Sequence, residues 1–343
     1  MRATSRLNRG APAGTSTRRG LVVGLVLVAL ILTTIGLTLG WGPLGVGPAE
    51  LFAALGGDAS TQTTFVLERL RGPRVLVAAG AGLALGLSGT LFQTVTRNPL
   101  GSPDVIGLGS GAGAGVAVMS VLVPGPAPSW LGALAGSAVA IALVWVSTGR
   151  GFASPSRLII AGIAVAAMST AVCHYVVAIV LRDEGSQLAG YLVGTLNSRS
   201  MQHVAMIAVA LAVCVPLAAW LRHDLQVMDL GDELAEALGT GTTRTRTWAI
   251  VISTLAAAGA VAVCGPVSFV ALSAPHIARR LVPTPGPHLT LSALLGATIL
   301  LVSDFAVQTL PLLDGLPVGV VTAGVGGIYL GTILVSQWRK VSA

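Results

Sequence analysis

The chain has 343 residues, a formal net charge of +7, a mean hydropathy of +0.83 and only 10% charged residues. Soluble domains carry about 25% charged residues, so the composition excludes an ordinary soluble enzyme and points to an all-α integral membrane protein of helices packed in lipid. The excess positive charge is scattered at the ends of apolar runs, which assigns it to membrane orientation rather than to nucleic acid.

In chain order, Met1 to Gly20 reads as a disordered cytoplasmic tail rich in arginine. The apolar run Leu21 to Leu39 lacks a convincing cleavage site and reads as a retained first span. A loop follows to Leu70. A basic collar, Arg71-Gly72-Pro73-Arg74, opens the second span, which runs to Thr96 and carries glycines at 82, 86 and 89 for close helix approach. Between this span and the third, Val105 to Val123, lies Arg97-Asn98-Pro99-Leu100-Gly101-Ser102-Pro103-Asp104. Its two prolines stop one helix and delay the next, and Asp104 is placed to cap the following helix. The glycine string 107–115 reads as helix packing rather than a phosphate loop.

Trp130 to Ser147 and Arg157 to Leu181 form the fourth and fifth spans. The fifth is the most polar-flecked, with Met168, Ser169, Thr170, His174 and Tyr175, and suits a pathway wall or a bundle-facing stripe. Arg182 to Ser200 is too polar to span, and Leu188 to Leu196 reads as a short surface helix. Met201 to Leu221 is the sixth span. Trp248 to Leu281, split at Gly265-Pro266, counts as two crossings, because a cytoplasmic N-terminus and the C-terminal Trp338-Arg339-Lys340 demand an even number. Leu289 to Leu310 and Val318 to Val335 complete ten spans. This topology puts Arg69, Arg71, Arg74, Arg182 and Arg199 outside and the remaining fifteen of 20 basic residues inside.

No HExxH, GxSxG or Walker lysine motif is present, and no two of the five histidines sit at ligand spacing. Cys173, Cys214 and Cys264 read as buried thiols. No catalytic residue, metal site or cofactor is expected. Asp304, inside the ninth span, reads as a structural hydrogen-bonding group rather than a proton-coupling one. Between Arg222 and Arg246 the segment Asp229 to Gly239 forms a short amphipathic helix, with Asp229 as its cap. Leu230, Leu234 and Leu238 make one apolar ridge, and Gly231 and Gly239 bracket it. Spacing fits equally a ridge docked in a partner's groove and one packed on the protein's own inner face. Arg71 and Arg74, three apart, serve as snorkelling anchors or as guanidinium forks for an external protein's carboxylates; spacing alone favours anchors.

Six ordered motifs carry a resemblance. They are Arg71-x-Pro-Arg74, Thr96-Arg-Asn-Pro-Leu-Gly-Ser-Pro-Asp104, Gly231-Asp-Glu233 with Leu238-Gly239, Gly265-Pro-x-x-Phe-Val270, Pro275-His-Ile-Ala-Arg279 and Leu316-Pro-Val-Gly319. In this order they resemble the iron-siderophore and cobalamin uptake permeases, the FecCD family of ABC importers. Gly194 to Arg199 looks closest to the catecholate-siderophore permeases.

The resemblance implies a single ten-helix permease domain over 21–338, in the bacterial cytoplasmic membrane, with coupling helices at 229–240. It implies a second permease subunit, a paralogue or a second copy, with two ABC ATPase subunits, an extracytoplasmic binding protein and a ferric siderophore as cargo. Leu230, Gly231, Asp232, Glu233, Leu234, Leu238 and Gly239 then couple to the ATPase. Arg71 and Arg74 meet the binding protein, Asn98, Leu100 and Ser156 form the cytoplasmic gate, and Met168, Ser169, His174 and Tyr175 line the pathway. Pro155, Gln308 and Asp314-Gly315 depart from the family pattern at the gate and the docking face. Haem or cobalamin is the alternative cargo, and an ion-coupled secondary transporter the alternative class.

Overall fold

The computed structural model describes residues 13–41, 45–123, 128–149, 155–176, 178 and 192–341. Residues 1–12, Arg150, Arg182 and the first four residues of the expected surface helix, 188–191, lie outside them. Among the described residues every regular element is helical. The first two helices are α1, Ala13–Gly40, and α2, Pro48–Gly56. The helix α1 takes in residues 13–20, which the sequence reading gave to the tail.

The next span is longer than expected. A short helix, α3 (Thr61–Phe65), runs through a π-turn at Val66–Leu70 into α4 (Arg71–Thr96). The wide turn lies just before Gly72-Pro73, where proline offers no N–H to an ordinary α ladder. After α4 come α5 (Leu108–Leu122), α6 (Ser129–Ser147), α7 (Pro155–Tyr175) and α8 (Met201–Trp220). Two short helices follow, α9 (Arg222–Met228) and α10 (Asp232–Ala237), then α11 (Thr242–Cys264), α12 (Val270–Leu281), α13 (Leu289–Thr309) and α14 (Val318–Val341). Among the described residues seven helices are long and apolar enough to cross a membrane, and α5, α12 and α14 answer to the other three expected spans.

The bundle is built around α4, which is buried along most of its length against α13 and α11. Small residues make this possible. A Cβ on Gly82, Gly86 or Gly89 would stand 2.5, 2.0 and 1.7 Å from the carbonyl oxygens of Gly296, Ser292 and Ala271. Those are backbone-to-backbone approaches that only glycine permits. Ser88 and Ser253 tie α4 to α11 reciprocally, each hydroxyl donating to the other's carbonyl, at 2.6 and 2.8 Å. The glycine string packs as expected, with Gly111 and Gly115 against Gly136 and Gly132 of α6. The helices α1 and α8 stay mostly open, as lipid-facing helices do.

The break at Gly265-Pro266 falls where the sequence places it, but it is not a turn. Gly265 ends α11, and the chain stays non-helical to Phe269, whose φ of +70° starts α12. The described part of the outer loop plugs the same region: Thr195 donates its N–H to the Cys264 carbonyl and Gly319 donates its N–H to the Gly194 carbonyl. Leu192 and Val193 are helical, but residues 194–196 are not and Leu196 is buried, so the expected surface helix does not run to Leu196.

Candidate functional site

Three groups of candidate residues occupy three depths of the bundle. At the end of α4 that carries the collar, called outer from the charge assignment, both arginines are committed to this chain. Arg71 caps α1, donating to the carbonyls of Thr38 at 2.7 Å, Leu39 at 3.3 Å and Trp41. Arg74 grips Asp304 of α13 as a fork, Nε at 3.0 Å from each carboxylate oxygen and Nη2 at 2.8 Å from Oδ1. Gln308 donates to the same carboxylate at 2.7 Å, and Arg74 also reaches the Asn197 side chain at 2.8 Å. Asp304 is therefore a structural partner, as its sequence context indicates. Gln308, an exposed residue, is part of this clamp.

At mid-depth, a cavity of about 340 Å³ opens beside α7. Its wall combines His174 and Thr170 of α7, Asp104, Ser110 of α5, and Pro266 and Ser268 of the non-helical stretch. Irregular backbone at membrane depth persists where it is buried in protein or lines a wet cavity, and the 265–269 stretch does both. Of the nominated pathway residues, His174 faces this cavity. Met168 instead lines a second groove between α6 and α7, beside Arg157 and Ile160. Tyr175 is exposed and Ser169 half-buried. Asp104, Ser110 and Ser268 were missed as wall residues. The available signal was the lone carboxylate between Pro103 and the glycine string.

Asp104 does not cap α5. It lies within a 3₁₀ turn, Pro103–Ile106, which Ser102 caps by accepting the Asp104 N–H at 3.3 Å. The Ser102 hydroxyl donates to the Asp104 carboxylate at 3.1 Å. Proline at the first position leaves Ser102 as the residue with a free oxygen ahead of the turn, so it takes the cap.

At the inner end, Asn98 organises the expected gate loop. Its side chain accepts the Leu100 N–H at 2.9 Å and its carbonyl accepts the Gly101 N–H at 2.9 Å. Leu100 is half exposed. Ser156 opens α7, and six residues on, Gly162 packs on the backbone of Val105 and Ile106, joining that helix to the loop's far end.

The short helix beside this loop is smaller than expected. Gly231 (φ +113°), not Asp229, precedes α10, and no side chain caps it. Asp229 instead ends α9 and turns toward Arg279, Gly286 and His288. Burial pushes its carboxyl above the usual carboxylate range, against the pull of Arg279, the Gly286 N–H, Arg97 and His288. Buried charge partners there outcompete a terminal cap. The leucine ridge is on the surface, Leu230, Leu234 and Leu238 being 59, 58 and 66% exposed. None of the described residues covers this ridge. Asp232, the first residue of α10, binds Arg97 at 2.7 Å and Arg246 at 3.0 Å. Among the described residues no group of three His, Cys, Asp or Glu side chains forms a metal site.

The FecCD transport family matches residues 27–336. The chain is similar to the ferric enterobactin transport system permease protein FepG of Escherichia coli (strain K12), 38% identical over 325 residues, covering 94% of this chain and 98% of that protein. It is also similar to the Fe(3+)-citrate import system permease protein YfmE of Bacillus subtilis (strain 168), 34% identical and covering 94% and 97% of the two chains. Among solved structures, one described as the inward-facing conformation of a metal-chelate type ABC transporter superposes with a TM-score of 0.77 at 25% identity, over 92% of this chain and 99% of that one.

Proposed function

The chain belongs to the FecCD transport family, and from that premise we propose that it is the membrane-spanning permease subunit of an ABC importer carrying a ferric siderophore across the bacterial cytoplasmic membrane. The observation that carries this reading is the end-to-end likeness to a ferric enterobactin permease, on a chain whose fold is that of a metal-chelate type transporter.

Residues 21–338 act as one permease domain that pairs with a second permease, a paralogue or another copy. Both termini face the cytoplasm. ATP hydrolysis is supplied by two partner subunits: the single lysine within these 343 residues, Lys340, precedes a valine, so no phosphate-loop Lys-Ser/Thr is available in this chain. The exposed ridge of Leu230, Leu234 and Leu238 offers those subunits a knob too small to bury itself, with Gly231, Glu233 and Gly239 shaping its ends and Asp232 tying it to Arg97 and Arg246 of this chain. An extracytoplasmic binding protein docks on the outer collar. Arg71 and Arg74 support that surface through α1 and Asp304, and present to the partner only what those bonds leave free. Asn98, Leu100 and Ser156 form the inner gate, and the cavity beside His174 is the stretch of pathway this subunit contributes.

Transport then requires that nucleotide-loaded ATPase bind one gate state better than the other, since equal affinity for both shifts nothing. An ion-driven carrier would need an intramembrane carboxylate free to load a cation; Asp304 is already neutralised by Arg74, so that reading would rest on Asp104 of the cavity wall, which the Ser102 hydroxyl holds. Affinity purification in mild detergent tests the reading. Co-purification of a second permease and an ATPase, with uptake of a ferric catecholate over ferric citrate, haem and cobalamin, supports it. A chain that purifies with no ATPase and transports regardless overturns it.

A further inference from the structure

Asp232 is more than the first residue of α10. Its Oδ1 accepts from Arg97 Nη2 at 2.7 Å and its Oδ2 from Arg246 Nη2 at 3.0 Å. One carboxylate thereby joins the inner end of α4, the exposed helix α10 and the first turns of α11. Arg97 also donates to the Met228 carbonyl at 3.0 Å, at the end of α9. All three contacts are on the cytoplasmic side of the buried core.

The two arms of this bridge differ. Arg246 is 10% exposed and Arg97 48% exposed. The Arg246 arm is shielded and holds the carboxylate in place, whereas the Arg97 arm stands in water and can exchange. Arg97 is also the left-handed C-cap of α4, with φ +49°, a conformation that residues other than glycine seldom adopt. A side chain held at both a carbonyl and a carboxylate keeps the backbone there. The next residue is Asn98, whose two bonds fold the loop that carries Leu100. From the ridge of α10 to the loop, the path is therefore α10, Asp232, Arg97, Asn98, with no gap larger than a hydrogen bond.

We propose that Asp232 and Arg97 are positioning residues that convert a shift of α10 into a change of the loop at Asn98 and Leu100, with Arg246 as the fixed anchor. Asp229 also feels the charge of Arg97. The inference rests on the reading of α10 as the ATPase-docking helix, and it adds how that helix reaches the gate.

The test uses the full complex with its ATPase, second permease and binding protein in proteoliposomes. Leu100→Cys serves as a reporter, labelled by a membrane-impermeant maleimide with and without nucleotide. Asp232→Asn and Arg97→Gln are each expected to leave ATPase co-purification intact, to abolish the nucleotide-dependent change in labelling, and to lower uptake about tenfold, the size of a common allosteric coupling. The double variant should be no worse than either single one, because both break the same link, and Arg97→Lys should recover part of the labelling change. A labelling change that persists in Asp232→Asn, or additive losses in the double variant, overturns the strut. Loss of ATPase co-purification in Asp232→Asn overturns it too, by making Asp232 a docking contact. A wild-type complex that holds no ATPase sinks the underlying functional reading instead, so the two failures are told apart.

Discussion

The helix α4 carries an arginine–aspartate pair at each end, and the two pairs are built for different work. At the outer end Asp304 is 2% exposed and accepts a fork from Arg74, with Gln308 completing its shell. At the inner end Asp232 is 41% exposed and shares its two oxygens between two arginines from different helices. The first pair fixes α4 to α13. The second ties α4 to a small helix on the protein's surface, through a bond that water can compete for. Burial, not chemistry, separates an anchor from a hinge.

That contrast can be broken at the shaft between the ends. Gly86→Leu would drive a side chain into the Ser292 carbonyl, 2.0 Å from the first added atom. The expected result is loss of folded protein, read as the absence of a monodisperse peak after detergent extraction. Next in size, Asp304→Ala strands the Arg74 guanidinium in the bundle. It should cost about 3–5 kcal/mol, the range for breaking one side of a buried pair, measured as unfolding free energy in detergent.

A smaller effect comes from the inner loop. Burial holds the His288 imidazole below its ordinary value, helped by Arg279, although the Thr284 and Val282 carbonyls and Asp229 pull the other way. An unfolded chain therefore takes up that proton first, and stability should fall as pH drops below about 6.5. The neighbouring Asp229 carboxyl, raised by burial, has the opposite slope lower on the scale. His288→Gln should flatten the loss between roughly pH 7 and pH 5.5, seen as a smaller change in melting temperature. The smallest stability change is expected at Arg97→Gln, within about 1 kcal/mol as for exposed pairs, while its uptake falls about tenfold. That separation of stability from transport sharpens the comparison most.

Much of the shaft was legible in the sequence. Glycines at 82, 86 and 89 share a helix face, and small residues on one face announce a close neighbour. What they meet was not legible, because Gly296, Ser292 and Ala271 are brought there by folding and not by spacing. The same holds for Arg74 and Asp304, which lie 230 residues apart. Leu230, Leu234 and Leu238 were readable as a ridge from their period, but only the fold shows that no part of the described chain covers them. Local rules failed in two places: Asp229 left the cap of α10 for Arg279 and Gly286, and Asp104 was drawn into a 3₁₀ turn capped by Ser102, which leaves Gly107 ahead of α5. The Gly265-Pro266 break was visible, yet the non-helical run to Phe269 depends on the cavity wall and the plug at Thr195 that surround it.

The central claim is that this chain is a conduit driven from outside itself through α10. The direct measurement is accumulation of a labelled ferric siderophore in proteoliposomes, with and without the ATPase and ATP. Accumulation only when both are present, and its loss in Gly231→Arg or Glu233→Arg chains that still insert normally, is the expected result. Accumulation by the permease without an ATPase, powered by a proton or sodium gradient, would contradict it.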